Sequence, residues 1–145
     1  MTDPYQAALV NVSFYVQKRD VVGRLVATLR GKLEDRGLNL IVPVSRAVQQ
    51  HEIHELIATD ETGVGPGSRV ARIAYLGFIE ISQGGILLTA DEVTCAGKVL
   101  GRIAGFDETH LPNHLNIVIL VDKRQDGTEL GLDLECEVRI RKTSS

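Results

Sequence analysis

At 145 residues, with 43% hydrophobic and 24% charged side chains, the chain is sized for one domain with an ordinary core, and its composition excludes a disordered or fibrous protein. A net charge of -3, no Trp, three Tyr and three Phe supply neither the basic surface nor the stacking rings of a nucleic-acid binder. No apolar run approaches the ~20 residues of a spanning helix, and "MTDPYQAALV" lacks the basic start and apolar run of a signal peptide. No membrane insertion is expected, and Cys95 and Cys136, in no metal or redox spacing, read as reduced thiols of a cytoplasmic protein.

The first expected element is a strand in which Val10, Val12, Phe14 and Val16 alternate with polar residues. Residues 21–34 admit two readings. Val22, Leu25, Val26, Leu29 and Leu33 would suit a helix capped by Asp20, whereas Gly23, Thr28, Gly31 and the valines favour a strand, which is the reading adopted. "GLNLIVPV" is a further strand, with Pro43 placing its end near a sheet edge. Residues 47–58, carrying "HEIHE", read as extended. "GVGPGSR" could offer backbone amides to an anion beside Arg69 and Arg72, but it lacks a P-loop ending and no helix follows, so it reads as a tight turn. Residues 63–106 are then punctuated by glycines between short apolar strands, "RVARIAYLGF", "GILLT" and "KVLGRIAGF", the pattern of a closed barrel. Residues 68–80 and 98–108 both end an apolar strand in Gly-Phe-x-Glu, an echo that a duplicated element or chance would produce.

The strongest periodicity is near the C-terminus. Leu130, Leu132, Leu134, Cys136, Val138 and Ile140 alternate with Gly131, Asp133, Glu135, Glu137 and Arg139, and "QDGT" offers an Asp-Gly turn between them and "NIVILVD". Residues 115–141 therefore read as a hairpin, with a final strand of about 35–40 Å at about 3.3 Å per residue. A strand that long outreaches a small barrel, which points to pairing with a second copy, most simply a homodimer. The expected fold is all-β: a small Gly-punctuated β-barrel with long N- and C-terminal strands, one domain over residues 1–141 and a disordered tail over 142–145.

All four histidines fall in two tight, carboxylate-flanked groups. "GFDETHLPNHLN" gathers Asp107, Glu108, His110 and His114, and Pro112 forbids a regular helix through them, so the segment is a loop. The four-residue spacing of the histidines resembles half of many zinc sites. In an extended "HEIHE", His51 and His54 point to opposite faces, so one of them can join a shared site, and His54 lines up with Glu52 and Leu56. The expected site is therefore His54, Asp107, His110 and His114 with Glu108 nearby, for a divalent metal such as zinc or a small-molecule ligand held through it. The competing reading makes Asp107 a cap, Pro112-Asn113 a β-turn and the histidines solvated or bonded to carbonyls. The motif is not H-E-x-x-H, so a peptidase is not expected.

"HELIATDETGVGPGSRVARIAYLGFIEI" with "GRIAGFDETHLPNHLNIVI" resembles an uncharacterised prokaryotic domain family with no assigned activity. Residues 51–121 also resemble the glucitol/sorbitol-specific IIA component of the sugar phosphotransferase system. The likeness lies in "HEIHEL", the Pro-Gly turn of "GPGSRV", the hairpin of "CAGKVLGRIAGF" and the His before "NHLNIVI". It implies a small all-β barrel and a phosphohistidine carrier, with His51 or preferably His54 as acceptor and Arg69 or Arg72 as phosphate donors of hydrogen bonds. Residues 1–45 have no counterpart in that family, "GFDETHLPNH" replaces its approach to the last strand, and Ser68 stands where an acidic residue is usual. Three functions are thus expected in order: a binding domain, a phosphohistidine carrier, and an assembly module without catalysis.

Overall fold

In the computed structural model, which describes residues 15–143, the chain is all-β, with no helix among the described residues. Twelve strands follow one another: β1 Val21–Thr28, β2 Lys32–Leu33, β3 Leu38–Asn39, β4 Ser45–Val48, β5 Ile53–Thr59 and β6 Arg69–Val70, then β7 Ile73–Gln83, β8 Gly85–Leu88, β9 Glu92–Cys95, β10 Lys98–Asp107, β11 Asn116–Leu120 and β12 Glu137–Arg141. The main sheet runs β1-β12-β9-β10-β11-β5-β7 and returns to β1, a closed ring of seven strands with β2 added beside β7. Closure removes the free edges of that sheet. Two small ribbons, β3-β6 and β4-β8, lie outside the ring. No helix among the described residues is long and apolar enough to cross a membrane.

Residues 21–28 do form the strand favoured over the helix. It is bulged twice against β7, and Gly77 permits one of those irregularities: a Cβ there would collide with the Ala27 carbonyl oxygen. Gly101 stands at the irregularity of β10 against β9, and on its other side a Cβ there would collide with the Leu120 carbonyl oxygen of β11. Glycines inside strands thus mark the places where backbones approach closely and the ring turns.

Every pairing in the ring is antiparallel except β5 with β11, which run parallel in the register Asn116↔Glu55 to Leu120↔Thr59. A parallel pair needs a crossover, and here β6 to β10 supply it. Both strands are buried on both faces. Inward, Leu56, Ala58, Ile117 and Ile119 join the main core with Leu25, Leu76, Ile79, Phe106 and Ile140. Outward, Ile57 and Val118 join a second cluster closed by Leu38, Leu40 and Val70 from the β3 and β6 region. That cover explains why "NIVIL" is a continuous apolar run instead of an alternating one.

The C-terminal hairpin is corrected. β11 pairs with β10 and β5, and β12 spans only five residues, paired with β1 on one side and β9 on the other. Residues 125–135 form successive turns. Asp126 Oδ1 accepts from the Glu129 amide at 2.8 Å, Glu129 Oε1 accepts from the Asp126 amide at 3.1 Å, and Gly131 and Glu135 take positive φ. Leu130 and Leu132 pack on the core from these turns while Leu134 is 60% exposed. The long projecting strand that motivated a homodimer is therefore absent, and both edges of β12 are occupied. The opening strand expected at Val10, Val12 and Phe14 lies outside the described residues, and Val16 is exposed with no strand around it. "GLNLIVPV" contributes only Leu38–Asn39 as strand, with Leu40 bridged to Asp107.

The reading of two reduced thiols is also corrected: Cys95 at the end of β9 and Cys136 just before β12 are joined as a disulfide, their Cα atoms 6.4 Å apart. Within the antiparallel β9-β12 pairing Cys95 faces Val138, which brings the preceding turn within reach.

Candidate functional site

The segment after β10 begins with Asp107, 1% exposed. Its Oδ1 accepts from the Thr109 amide at 2.9 Å and Asn116 Nδ2 at 3.1 Å; its Oδ2 accepts from the Asn39 amide at 2.9 Å and Thr109 Oγ1 at 3.0 Å. Burial alone would raise the carboxyl, but these four donors outweigh it and hold it below its ordinary range. Both oxygens are thus engaged in fixing the loop to the sheet. Glu108 turns away to pair with Arg46 at 3.2 Å.

The chain then folds back through a cis Leu111–Pro112 bond, with the Asn113 amide donating to the His110 carbonyl at 2.8 Å. This brings the His110 and His114 rings to 5.0 Å between centroids. His114 also meets the edge of Phe78 at 5.0 Å, and its Nε2 lies 3.2 Å from Glu55 Oε1. Asn113 Nδ2 donates to His114 Nδ1 at 2.9 Å, which leaves the ring proton on Nε2, facing Glu55. Burial pushes the His114 imidazolium down and the Glu55 carboxyl up. His110 is exposed, with Arg36 Nη2 at 3.4 Å from its Nε2.

Loop 107–114 therefore lies against β5, but the histidines divide between the two faces of that strand. Glu55 and His114 are on the outer face. His54 shares the inner face with Leu56 and Ala58, as period two requires. It is 8% exposed, its Nδ1 accepts from the Leu115 amide at 3.0 Å, and its Nε2 donates to Glu52 Oε1 at 3.1 Å. Glu52 Oε1 also accepts from the Gln49 amide at 2.8 Å; that amide, and after it the His54 ring, hold Glu52 below the ordinary carboxylate range against partial burial. His51 sits apart in the β4-β5 turn at φ 76°, exposed. Among the described residues no group of three or more His, Cys, Asp or Glu side chains is placed to hold a metal ion.

A cavity of about 260 Å³ opens on the inner side, lined by Arg46, Glu52, His54, Leu111, Pro112 and Asn113 with their neighbours. It lies where β5 and β11 begin. Arg46 Nε is buried there with no hydrogen-bond partner among the described residues. Sequence reasoning placed Glu52 beside His54 but missed Arg46, which carries no local motif and reaches the cavity only because β4 runs up to the β4-β5 turn. It also treated Glu55 as flanking charge, although its place in β5 makes it the partner of His114. Arg69 and Arg72, the expected phosphate donors, are engaged with carboxylates: Arg69 with Asp35 at 3.4 Å, Arg72 with Glu34 at 2.8 Å and Asp60 at 3.2 Å. "GVGPGSR" is a tight turn, closed by the Ser68 amide on the Gly65 carbonyl at 2.9 Å and the Gly65 amide on Ser68 Oγ at 3.0 Å.

The chain matches no curated protein and no solved structure. A family model matches residues 15–141, a span that takes in the whole ring and every residue of the cavity. The chain belongs to a family of unknown function, DUF6917.

Proposed function

We propose that the protein is a binding domain for a small polar ligand, seated in the cavity between Arg46, the Glu52–His54 pair and the 111–113 segment. The observation that carries this reading is Arg46 on the wall of that cavity: its Nη2 pairs with Glu108 at 3.2 Å, while its Nε is buried with no hydrogen-bond partner among the described residues. An unpaired buried donor costs about 1–3 kcal/mol, so a native site keeps one where an acceptor is to be supplied. A ligand oxygen suits Arg46, and a ligand N–H or O–H suits the Glu52 carboxylate, whose depressed pKa keeps it an acceptor at neutral pH. A carboxamide or a hydroxy acid carries both.

This keeps the binding reading and moves it away from the set His54, Asp107, His110 and His114. Asp107 has both oxygens committed, and His110 and His114 belong to the other face of β5. Binding is favoured over phosphoryl carriage because His54 holds its Nε2 proton toward Glu52 and its Nδ1 lone pair toward the Leu115 amide. A phosphoryl acceptor needs a free lone pair, and neither nitrogen presents one.

Fragment titrations of 15N-labelled protein test the reading. Glycolate and glycolamide are expected to shift the Arg46 Nε–H and Leu115 amide resonances together and saturably. Arg46→Ala is expected to abolish the Leu115 response. If neither probe moves these two resonances, or if Arg46→Ala leaves the Leu115 response intact, the cavity is not the ligand site.

A further inference from the structure

The seven-stranded ring has a second mouth, at the opposite ends of the parallel pair. The first cavity lies by Ile53 and His54 on β5 and by Leu115 before β11; the second lies by Ala58 on β5 and by Val121 after β11. It measures about 220 Å³. Its floor is apolar: Ala58 and Leu76 are 1% and 0% exposed and belong to the main core, and Leu100, Val121 and Leu130 pack against that core. Its rim carries Lys98 and Lys123, with Gln125 adding an amide.

Two lysines stand at the lip of this mouth. Most other basic side chains flanking the ring are engaged: Arg24 with Glu80, Lys32 with Glu129, Arg72 with Asp60, Arg124 with Glu34, Arg139 with Asp20, Arg141 with Glu92. The Lys98 and Lys123 side chains make no ion pair or hydrogen bond with any described residue, although Asp122 lines the same mouth. Two unpaired ammonium groups over a dry floor form a surface that is positive at the lip and apolar below.

We infer that this mouth is a second binding site, for a small carboxylate with a short apolar chain, its head between Lys98 and Lys123 and its tail on Leu100, Val121 and Leu130. At about 220 Å³ the cavity has room for a small carboxylate with a short apolar chain. Charge selects the head, since an ammonium there would face two like charges. Burial of the tail provides the affinity, because each buried methylene contributes about 0.8 kcal/mol. The site is independent of the Arg46 cavity, and either can fail without the other.

The test titrates the 15N-labelled full-length chain with hexanoate, hexylammonium and acetate. Hexanoate is expected to shift the amides of residues 98–100 and 121–125 saturably, acetate at least about tenfold more weakly for want of the tail, and hexylammonium not at all. Substituting both lysines, Lys98→Gln with Lys123→Gln, is expected to weaken hexanoate about tenfold or more; both side chains are exposed, so the fold is retained. Hexylammonium binding as well as hexanoate, acetate equal to hexanoate, shifts confined to the Arg46 cavity, or an unchanged double variant would each overturn the inference.

Discussion

Asp126 is the residue whose removal is most sharply predictable. Its Oδ1 accepts from the Thr128 hydroxyl at 2.7 Å and the Glu129 amide at 2.8 Å, and its Oδ2 accepts from the Gly31 amide at 2.9 Å. The amides of Glu129 and Gly31 chiefly lower its pKa, to about 2. Because the folded value lies below the unfolded one of about 3.9, its contribution is complete above that pH and is lost as pH falls toward 2. Asp126→Ala is expected to cost about 0.5–2 kcal/mol at pH 7, as for a lost cap. Asp126→Asn should flatten the fall in urea midpoint between pH 4 and 2; an Asn variant with the wild-type acid slope would contradict this assignment. The sequence showed an Asp-Gly turn here, but Asp126 and Glu129 also have the spacing of a reciprocal cap. What decides between them is Gly31, 95 residues away, and no local pattern records it. The histidine groups follow the same logic. The nearness of His110 to His114 was legible from spacing, but Asp107 is committed by Asn39 and Asn116, and the faces that His54 and His114 take are set by β5.

Among elements, the glycine-punctuated strands were legible because close backbone approach leaves a mark that only glycine satisfies. Gly101→Ala places a methyl against the Leu120 carbonyl oxygen where β10 is irregular, and overpacking of this kind costs about 1–3 kcal/mol. Gly65→Ala provides the control. A Cβ there meets nothing within 4 Å, so the change should stay within about 0.5 kcal/mol. Equal denaturation midpoints for the two variants would show that the β10-β11 approach is looser than this. The C-terminal segment misled for a related reason. Alternation of Leu130, Leu132 and Leu134 suits a strand, but two successive turns can also return every second side chain to the core. The Gly131 amide on Thr128 and the Leu132 amide on Gly127, each at 3.1 Å, are turn bonds. Positive φ at Gly131 and Glu135 then stops any strand from running through, and the charged Glu135 gave no warning of it.

At the scale of the whole molecule, a ring closed by β1 depends on what holds the chain as it enters that strand. Lys18, three residues before β1, pairs with Asp91, just before β9, at 2.9 Å, with the two side chains 5% and 2% exposed. Asp91 Oδ2 also accepts from the Leu88 amide at 2.9 Å, and burial pushes this carboxyl up despite both partners. A buried pair of this kind adds little net stability, because desolvation offsets attraction, but removing one member strands the other and costs about 3–5 kcal/mol. Lys18→Met is therefore expected to lower unfolding stability by about that much at pH 7. The same substitution should carry a pH signature that simple loss of packing would not. With Lys18 gone, the folded pKa of Asp91 rises further above its unfolded value, so the folded state takes up a proton first as the solution is acidified. The deficit relative to the native sequence should then shrink as pH falls through that raised value, because the protonated acid no longer carries a stranded charge. Chemical denaturation of both proteins from pH 8 to pH 4 measures the difference directly. A deficit that stays constant across that range would mean that Lys18 acts through its aliphatic stem, and that the entry to the ring is held by packing and not by charge.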